Sequence, residues 1–409
     1  MAYRSQIGSS IHEIIYPNIF YRGYTGMLSE EFVIHFSELE DPRVTNHNSK
    51  HTFEDIFILA FIANLCCCDS WVEVEEFCKS REDFFKEFLD LKNGIPSHDT
   101  FGRVFSMIDS THLEMLLIDW MSKIFKKSNG EIIAIDGKTI RGSRRKGELS
   151  GISMINAWAC ENKLSLGSIK VDDGSNEISG ISKMLDYLDI KKCTITIDAI
   201  GCQTKIADKI INNGANYILC VKNNQKRLKG FIESHFDNHI KRGKSRHISD
   251  TGIIIEKAHG REESRQILCL PSDDVYKLQE SWPHAKSVIK VIRKRVVNEK
   301  LSEQVNYYIS SHSFLSIQIT HGIRKHWNIE NCLHWQLDVS FGEDGCRARV
   351  KNAANNLAVL RRLSLAFIKL NTSRKGSMKI KRKLAGWDND FLKEVLIDGI
   401  SKFTGEKKL

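Results

Sequence analysis

Residues 324–347 read RKHWNIENCLHWQLDVSFGEDGCR, with two tryptophans, two histidines and several acids in 24 positions. On a helix, steps of three and four residues bring Trp327, Glu330, Asn331, His334 and Asp338 onto one broad face. An ordinary amphipathic helix lines its buried stripe with Leu, Ile and Val; this face carries rings and coordinating groups. Two further acids close short apolar runs far upstream. Asp136 follows Ile132-Ile133-Ala134-Ile135, and Asp198 follows residues 193–197. Each reads as a carboxylate delivered at the end of a buried strand. Three carboxylates from distant segments suit divalent metal. Phosphoryl transfer needs charge neutralised on the entering, leaving and non-bridging oxygens, which two magnesium ions about 3.5–4 Å apart can do. Magnesium takes oxygen ligands and keeps waters, so two or three acids suffice. Without metal, converging carboxylates repel and their pKa values rise. The chemistry suggested is phosphodiester cleavage or transfer on DNA.

Each residue alone has a plainer reading. An Asp at a strand end is commonly a turn former or helix cap. Glu330 can pair with Arg324 or Lys325. His326, His334, Trp327 and Trp335 can be core side chains. Asp338, Glu343 and Asp344 rival Glu330 as the third acid. The set carries more weight than its members, because all three acids fall where one architecture requires them.

The elements that must position them follow from the pattern along the chain. Residues 29–127 read as helical. Thr52 caps an apolar helix through Cys68, Ser70 and Glu73 form a capping box, and Ser97 or Asp99 caps a third helix. The pair around Asn93-Gly94-Ile95-Pro96 is either a DNA-binding helix pair or simple packing. From Glu131 the pattern changes to three strands, helix, strand, helix, strand, with Asn176 as a helix cap and Glu161-Asn162 as a hairpin turn. Residues 225–306 are charged and alternating and read as a mostly β insertion. The Glu330 helix follows, then a helix over 353–370 and a basic tail from 373 to 409. Residues 1–28 are an irregular aromatic arm. The domain reading is therefore 1–28, 29–127, 128–224, 225–306, 307–372 and 373–409.

The totals bound the class. The chain has 409 residues and a net charge of +9, which permits a polyanionic partner without requiring one. Its 11 cysteines form no CxxC pair, so neither a zinc site nor a disulfide framework is suggested. The longest apolar run, 56–68, is too short to span a bilayer. No signal peptide is evident. A cytoplasmic chain with no membrane contact is expected.

The long motifs carry a resemblance over nearly the whole chain. They are SWVEVEEFCKSRE at 70–82, NGIPSHDTFGRVFS at 93–106, IDGKTIRGS at 135–143, SNEI at 175–178, TIDAIGCQ at 196–203, KNNQ at 222–225, HGREESR at 259–265, YYISS at 307–311 and HWNIENCLHWQLDVSFGEDGCRAR at 326–349. The chain resembles the bacterial insertion-sequence transposases of the ISAs family, which include the H-repeat-associated proteins, within the DDE superfamily. The resemblance implies an α/β, RNase H-like mixed sheet flanked by helices, with a mostly β insertion before the last catalytic helix and an N-terminal helical domain. It implies Asp136, Asp198 and Glu330 as a triad holding Mg2+, with Mn2+ able to substitute. The pattern departs from the family at Met154-Ile155-Asn156, at Asn223 and at Gly174.

Around the triad, Lys138, Arg141, Lys222, Asn223, Gln225, Arg324, Trp327, Asn331 and His334 are candidate DNA contacts, with Trp327 able to stack a flipped base. Surface pairing, turn chemistry or core packing are the competing readings. The expected activity is binding of terminal inverted repeats, cleavage at the ends by metal-activated water, and joining of 3′ hydroxyls to target DNA. Synapsis of two ends implies a homodimer on double-stranded DNA. A structure-specific nuclease and a DNA-binding protein without catalysis are the rivals.

Overall fold

The computed structural model describes residues 30–44, 49–125, 130–147, 150–241, 248–258, 261–273, 275, 278–297 and 300–404. The expected arm at 1–28 lies outside them. Two compact units result, one from residues up to Asp109 together with Val350 onward, the other from Ser110–Arg349.

The second unit is built on a nine-stranded sheet. Its strands are β1 (Ile132–Thr139), β2 (Ser153–Ala159), β3 (Leu164–Lys170), β4 (Thr194–Ile197), β5 (Asn216–Val221), β6 (Ser249–Ala258), β7 (Arg261–Pro271), β8 (Ser287–Val297) and β9 (Lys300–Ser310). Their spatial order is β3-β2-β1-β4-β5-β9-β8-β7-β6. β1 to β3 form an antiparallel meander, whereas β1, β4 and β5 run parallel. Parallel neighbours need crossovers, supplied by helices Glu177–Tyr187 and Thr204–Asn212. The Asn176 side chain accepts from the Ser179 amide and fixes where the first begins. This is the RNase H-like core, mixed and flanked by helices.

The 225–306 segment departs from expectation in two ways. It opens with a 16-residue helix, Lys226–Lys241, which its charge had hidden. Its strands form no separate module: β9 pairs antiparallel with β5, and β8, β7 and β6 continue the same sheet outward. Edge pairing of this kind is set by partners 90 residues apart and leaves no local mark. Asp136 also lies inside β1, which runs on to Thr139, rather than at its end.

After β9 the chain returns as helix Ile317–Ile329. Ile319 and Ile323 pack on Ile218, Ile267, Cys269, Ile289 and Val291. Each buried Ile or Val contributes roughly 1.5–3 kcal/mol, so core packing fixes this helix on the sheet. A single π turn, Glu330–His334, follows, and then helix Trp335–Phe341, which stops at Gly342 with φ +59°.

The first unit is all helical. Helix Phe53–Leu65 is buried almost all round, as an evenly apolar sequence dictates. Thr52 and the Ser70–Glu73 capping box start helices where expected. Trp71 stacks on Phe101 and tilts against Phe105, so the helix pair around 93–96 is joined by core rings. Helix Ala353–Leu370 belongs to this unit and packs Phe367 against Phe61. The expected basic tail is folded too, as helices Met378–Trp387 and Asn389–Thr404. Arg382 is buried there, donating to the Asn64 carbonyl and to Asp69. Among the described residues no helix is long and apolar enough to cross a membrane.

Candidate active site

Strand pairing brings two of the acids together. β1 and β4 are parallel neighbours in the register Ile135↔Ile197, so Asp136 and Asp198, the next residues, sit side by side. Adjacent strands lie about 4.8 Å apart. Glu330 arrives from the helix packed over β1 and β4. Donor atoms of Asp136, Glu330 and His334 all lie within 4.8 Å of one another. His334 Nδ1 stands 3.1 Å from Glu330 Oε2 and 3.8 Å from Asp136 Oδ2. Its Nε2 is buried without a partner. With Nδ1–H donating to Glu330, Nε2 is the bare acceptor.

The electrostatics are those of crowded carboxylates. Burial pushes Asp136 up to about 6; His334 and the Gly137 amide oppose this, while Asp198 and Glu330 add to it. Glu330 is held below its ordinary value, chiefly by the His334 hydrogen bond, against its partial burial. Burial also works against ionisation of Asp198, but the Lys222 ammonium and the Ala199 amide outweigh it, so its net shift is downward. Lys222 Nζ lies 2.9 Å from Asp198 Oδ2. His326, hydrogen-bonded to Thr196, is lowered to about 4 by burial and is neutral at pH 7. Two facing carboxylates with a third beside them, one of them kept from ionising easily, are a donor set that fits a hard divalent cation; its charge relieves that repulsion. The oxygens suit magnesium or manganese, and an imidazole beside them suits manganese better.

The other expected residues divide. Lys138 is buried, 2.7 Å from Asp338 Oδ1 and 3.4 Å from Asp344 Oδ1, and so holds the last motif onto β1 rather than facing solvent. Two of the rival acids are thereby accounted for as its partners. Arg141 is exposed, with Nε 3.5 Å from Asp344. Lys222 neutralises Asp198. Gln225 donates to the Cys202 carbonyl at 2.9 Å, a turn contact. Asn223 is exposed and accepts from Lys229. Arg324 pairs with Glu256, and Asn331 faces solvent. Trp327 is 50% exposed, with the Arg293 guanidinium 5.7 Å from its ring centre. The π turn breaks the single broad face that even helical spacing suggests, which is why Asn331 and His334 part company.

Three features escaped the sequence reading. Asn156, at the position where the family pattern departs, is buried and directly opposite Asp136 across the β1–β2 ladder. Glu177 lies against the backbone of β1: a Cβ on Gly137 would fall 2.6 Å from its Oε1. Arg265, Arg293 and Arg295 converge on Glu263. Their i, i+2 spacing within β7 and β8 was the available signal, since it puts each pair on one face.

A mixed sheet of this order, with acids at adjacent strands and on the following helix, defines the DDE class of nucleic-acid enzyme folds. The sequence profile described as "Transposase DDE domain" matches residues 127–367, and the one described as "DDE_Tnp_1-associated" matches 33–121. The chain belongs to the DDE transposase family. It is 39% identical to "Putative transposase YncI" of Escherichia coli O157:H7, over 85% of this chain and 90% of that protein. It is 36% identical to "H repeat-associated putative transposase YhhI" of Escherichia coli strain K12, over 88% of this chain and 96% of that protein. A solved synaptic complex of the piggyBac transposase with hairpin DNA aligns at TM-score 0.42 and 10% identity, covering 93% of this chain and 79% of that one.

Proposed function

We propose that this chain is the transposase of an insertion sequence. It binds the element's terminal repeats, cuts the phosphodiester bond at each end and joins the 3′ hydroxyl to target DNA. Asp136, Asp198 and Glu330 hold the divalent metal, magnesium by preference with manganese able to substitute. The observation that carries the reading is that Asp136 stands beside Asp198 on the neighbouring strand and within 4.8 Å of Glu330 and His334, donor atom to donor atom, from segments 62 and 132 residues apart. Bound there, metal would neutralise the scissile phosphate and lower the pKa of an attacking water. The chain's own side chains do the rest. His334 orients Glu330 through its Nδ1–H. Lys222 keeps Asp198 ionised and, once displaced, is free to meet a phosphate. Arg141 projects into solvent at the same edge, where a backbone oxygen can pair with it. Two ends must be cut in concert, so two copies work together on DNA, in the cytoplasm and on the nucleoid.

The test uses DNA spanning the element's own ends, incubated with purified protein and Mg2+ beside Glu330→Gln. Cleavage at the repeat boundary, absent in the variant, with joined products on a denaturing gel, supports the reading. Cleavage without joining makes the chain a structure-specific nuclease. Specific binding without cleavage by either protein makes it a DNA-binding protein that has lost catalysis.

A further inference from the structure

The strand register runs one row of side chains straight across the candidate active site. Asp136 on β1 is level with Asn156 on β2. Ile135 is paired with Ile197 and Ile197 with Leu219, so the next residues, Asp136, Asp198 and Cys220, are level on β1, β4 and β5. Cys220 is paired in turn with Tyr308 on β9, and Tyr308 with Ile289 on β8. Residues level on neighbouring strands share a face of the sheet, about 4.8 Å apart. Here it is the face on which the Ile317–Ile329 helix packs. On the β5 side the two aspartates are therefore followed by a thiol and then a phenol, before the row turns apolar at Ile289.

The thiol touches the groups on either side of it. Cys220 is buried, and its side chain is hydrogen-bonded to the Asp198 carboxylate and to the Tyr308 hydroxyl. The sense of this chain follows from the groups. A carboxylate only accepts, so the thiol hydrogen points at Asp198 and Sγ accepts from the Tyr308 O–H. Burial, and after it the Asp198 charge, push the thiol up to about 12, so it keeps that hydrogen at neutral pH. The Tyr308 ring packs against the core cluster of Ile289 and Ile319, which fixes where its hydroxyl lies. The other neighbour of Asp198 is of opposite character. The Lys222 side chain, 2.9 Å away, is 52% exposed, so an entering cation can displace it. Cys220 has nowhere to go.

We propose that Cys220 and Tyr308 are positioning residues for Asp198, a chain from phenol through thiol that holds the carboxylate in one orientation after a cation has displaced Lys222. The proposal rests on the assignment of Asp198 to the metal made in the transposase reading. A weak donor suits the place: the thiol gives the carboxylate a direction without opposing its charge as an ammonium does. Outer partners of this kind orient metal ligands and tune their affinity. Tyr308 lies in the YYISS motif at 307–311, and its hydroxyl thereby gains a task that packing of the ring does not require.

The experiment titrates full-length protein with Mn2+ by electron paramagnetic resonance, without DNA. Cys220→Ala should bind Mn2+ about tenfold more weakly, the lower end of what losing an outer partner costs a metal site. Cys220→Ser keeps a donor at the same place and should recover most of that loss. Tyr308→Phe removes one oxygen and should weaken Mn2+ about threefold, yet add nothing in the Cys220→Ala background, because its effect runs through the thiol. If the row is only packing, Cys220→Ala will bind Mn2+ as the wild type does, or the serine variant will be as weak as the alanine one, or the two losses will add in full; any of these overturns the proposal. Should Cys220→Ala fail to fold, as judged by circular dichroism, Tyr308→Phe alone decides, and unchanged Mn2+ binding refutes the chain. If the wild type binds no Mn2+, the metal assignment of the three acids falls, and the proposal with it; if wild type and variants bind alike, only the proposal falls.

Discussion

Replacing Asp136 by Asn should stabilise the metal-free protein at neutral pH. The side chain is 28% exposed. Burial first, then Asp198 and Glu330, lift its pKa from 3.8 to about 6. Between those values the folded chain keeps a proton that the unfolded chain has released. Stability therefore falls as pH rises through that window, and the full cost is present above it. With each pH unit worth about 1.4 kcal/mol, the charged carboxylate costs at most roughly 3 kcal/mol at pH 7 and roughly 0.5 kcal/mol at pH 4. Asn keeps the shape without the charge. Allowing for partial solvent screening, Asp136→Asn should gain about 1–3 kcal/mol at pH 7 and little at pH 4. In a unit of this size that corresponds to a rise of roughly 2–10 °C in Tm. Urea unfolding followed by tryptophan fluorescence, in EDTA, measures it. Millimolar Mg2+ should then stabilise the wild type and not the variant, closing the gap. A variant no more stable than wild type at pH 7, or equally stabilised at both pH values, would refute the crowded-carboxylate account.

Lys222→Met removes the ammonium that competes for Asp198. Both groups are substantially exposed, so the pair is worth no more than about 1 kcal/mol, and Mn2+ should bind up to about fivefold tighter without DNA; electron paramagnetic resonance titration reads this, and weaker binding would show that Lys222 supports the site instead. Lys138→Met leaves Asp338 and Asp344 facing each other without their cation. A fully buried pair loses 3–5 kcal/mol when broken; with carboxylates about one-third exposed, a loss of about 1–3 kcal/mol in urea unfolding is expected. Gly142→Ala places a Cβ 2.3 Å from the Cys346 carbonyl oxygen and 2.7 Å from that of Asp344. Backbone cannot rotate aside, so the loop must lift, at about 1–3 kcal/mol; unchanged thermal stability would contradict the close approach.

Local signals in the sequence carried the parts of the fold that local chemistry decides. The caps at Thr52, Ser70 and Asn176 are satisfied within three residues, and each starts its helix where it was read. The core strands follow from apolar runs, and the positions of Asp136 and Asp198 from the ends of two of those runs, while Glu330 was picked out by helical spacing. What escaped depends on distant partners. Nothing near Lys138 announces Asp338 two hundred residues on, so a buried counter-ion read as a solvent-facing phosphate ligand. The pairing of Lys222 with Asp198 went unread for the same reason. The π turn was invisible because helical spacing assumes 3.6 residues throughout. Helix Lys226–Lys241 and the C-terminal pair were obscured by charge, which says where a face is wet and not whether it is folded.

The unbroken hydrogen-bond ladder from β4 to β8 has a metric consequence. Three strand spacings separate the strand bearing Asp198 from that bearing Arg293, roughly 14 Å measured across the ladder. No hinge interrupts that path, for β5, β9 and β8 are joined rung by rung. The outer strands are thus held in a fixed place relative to Asp198. Level with Asp198 on β8 is Ile289, and Arg293 lies four residues further along, roughly 13 Å at the rise of a strand, so the straight separation is about 19 Å and a slip of register at β9 would change it one residue at a time.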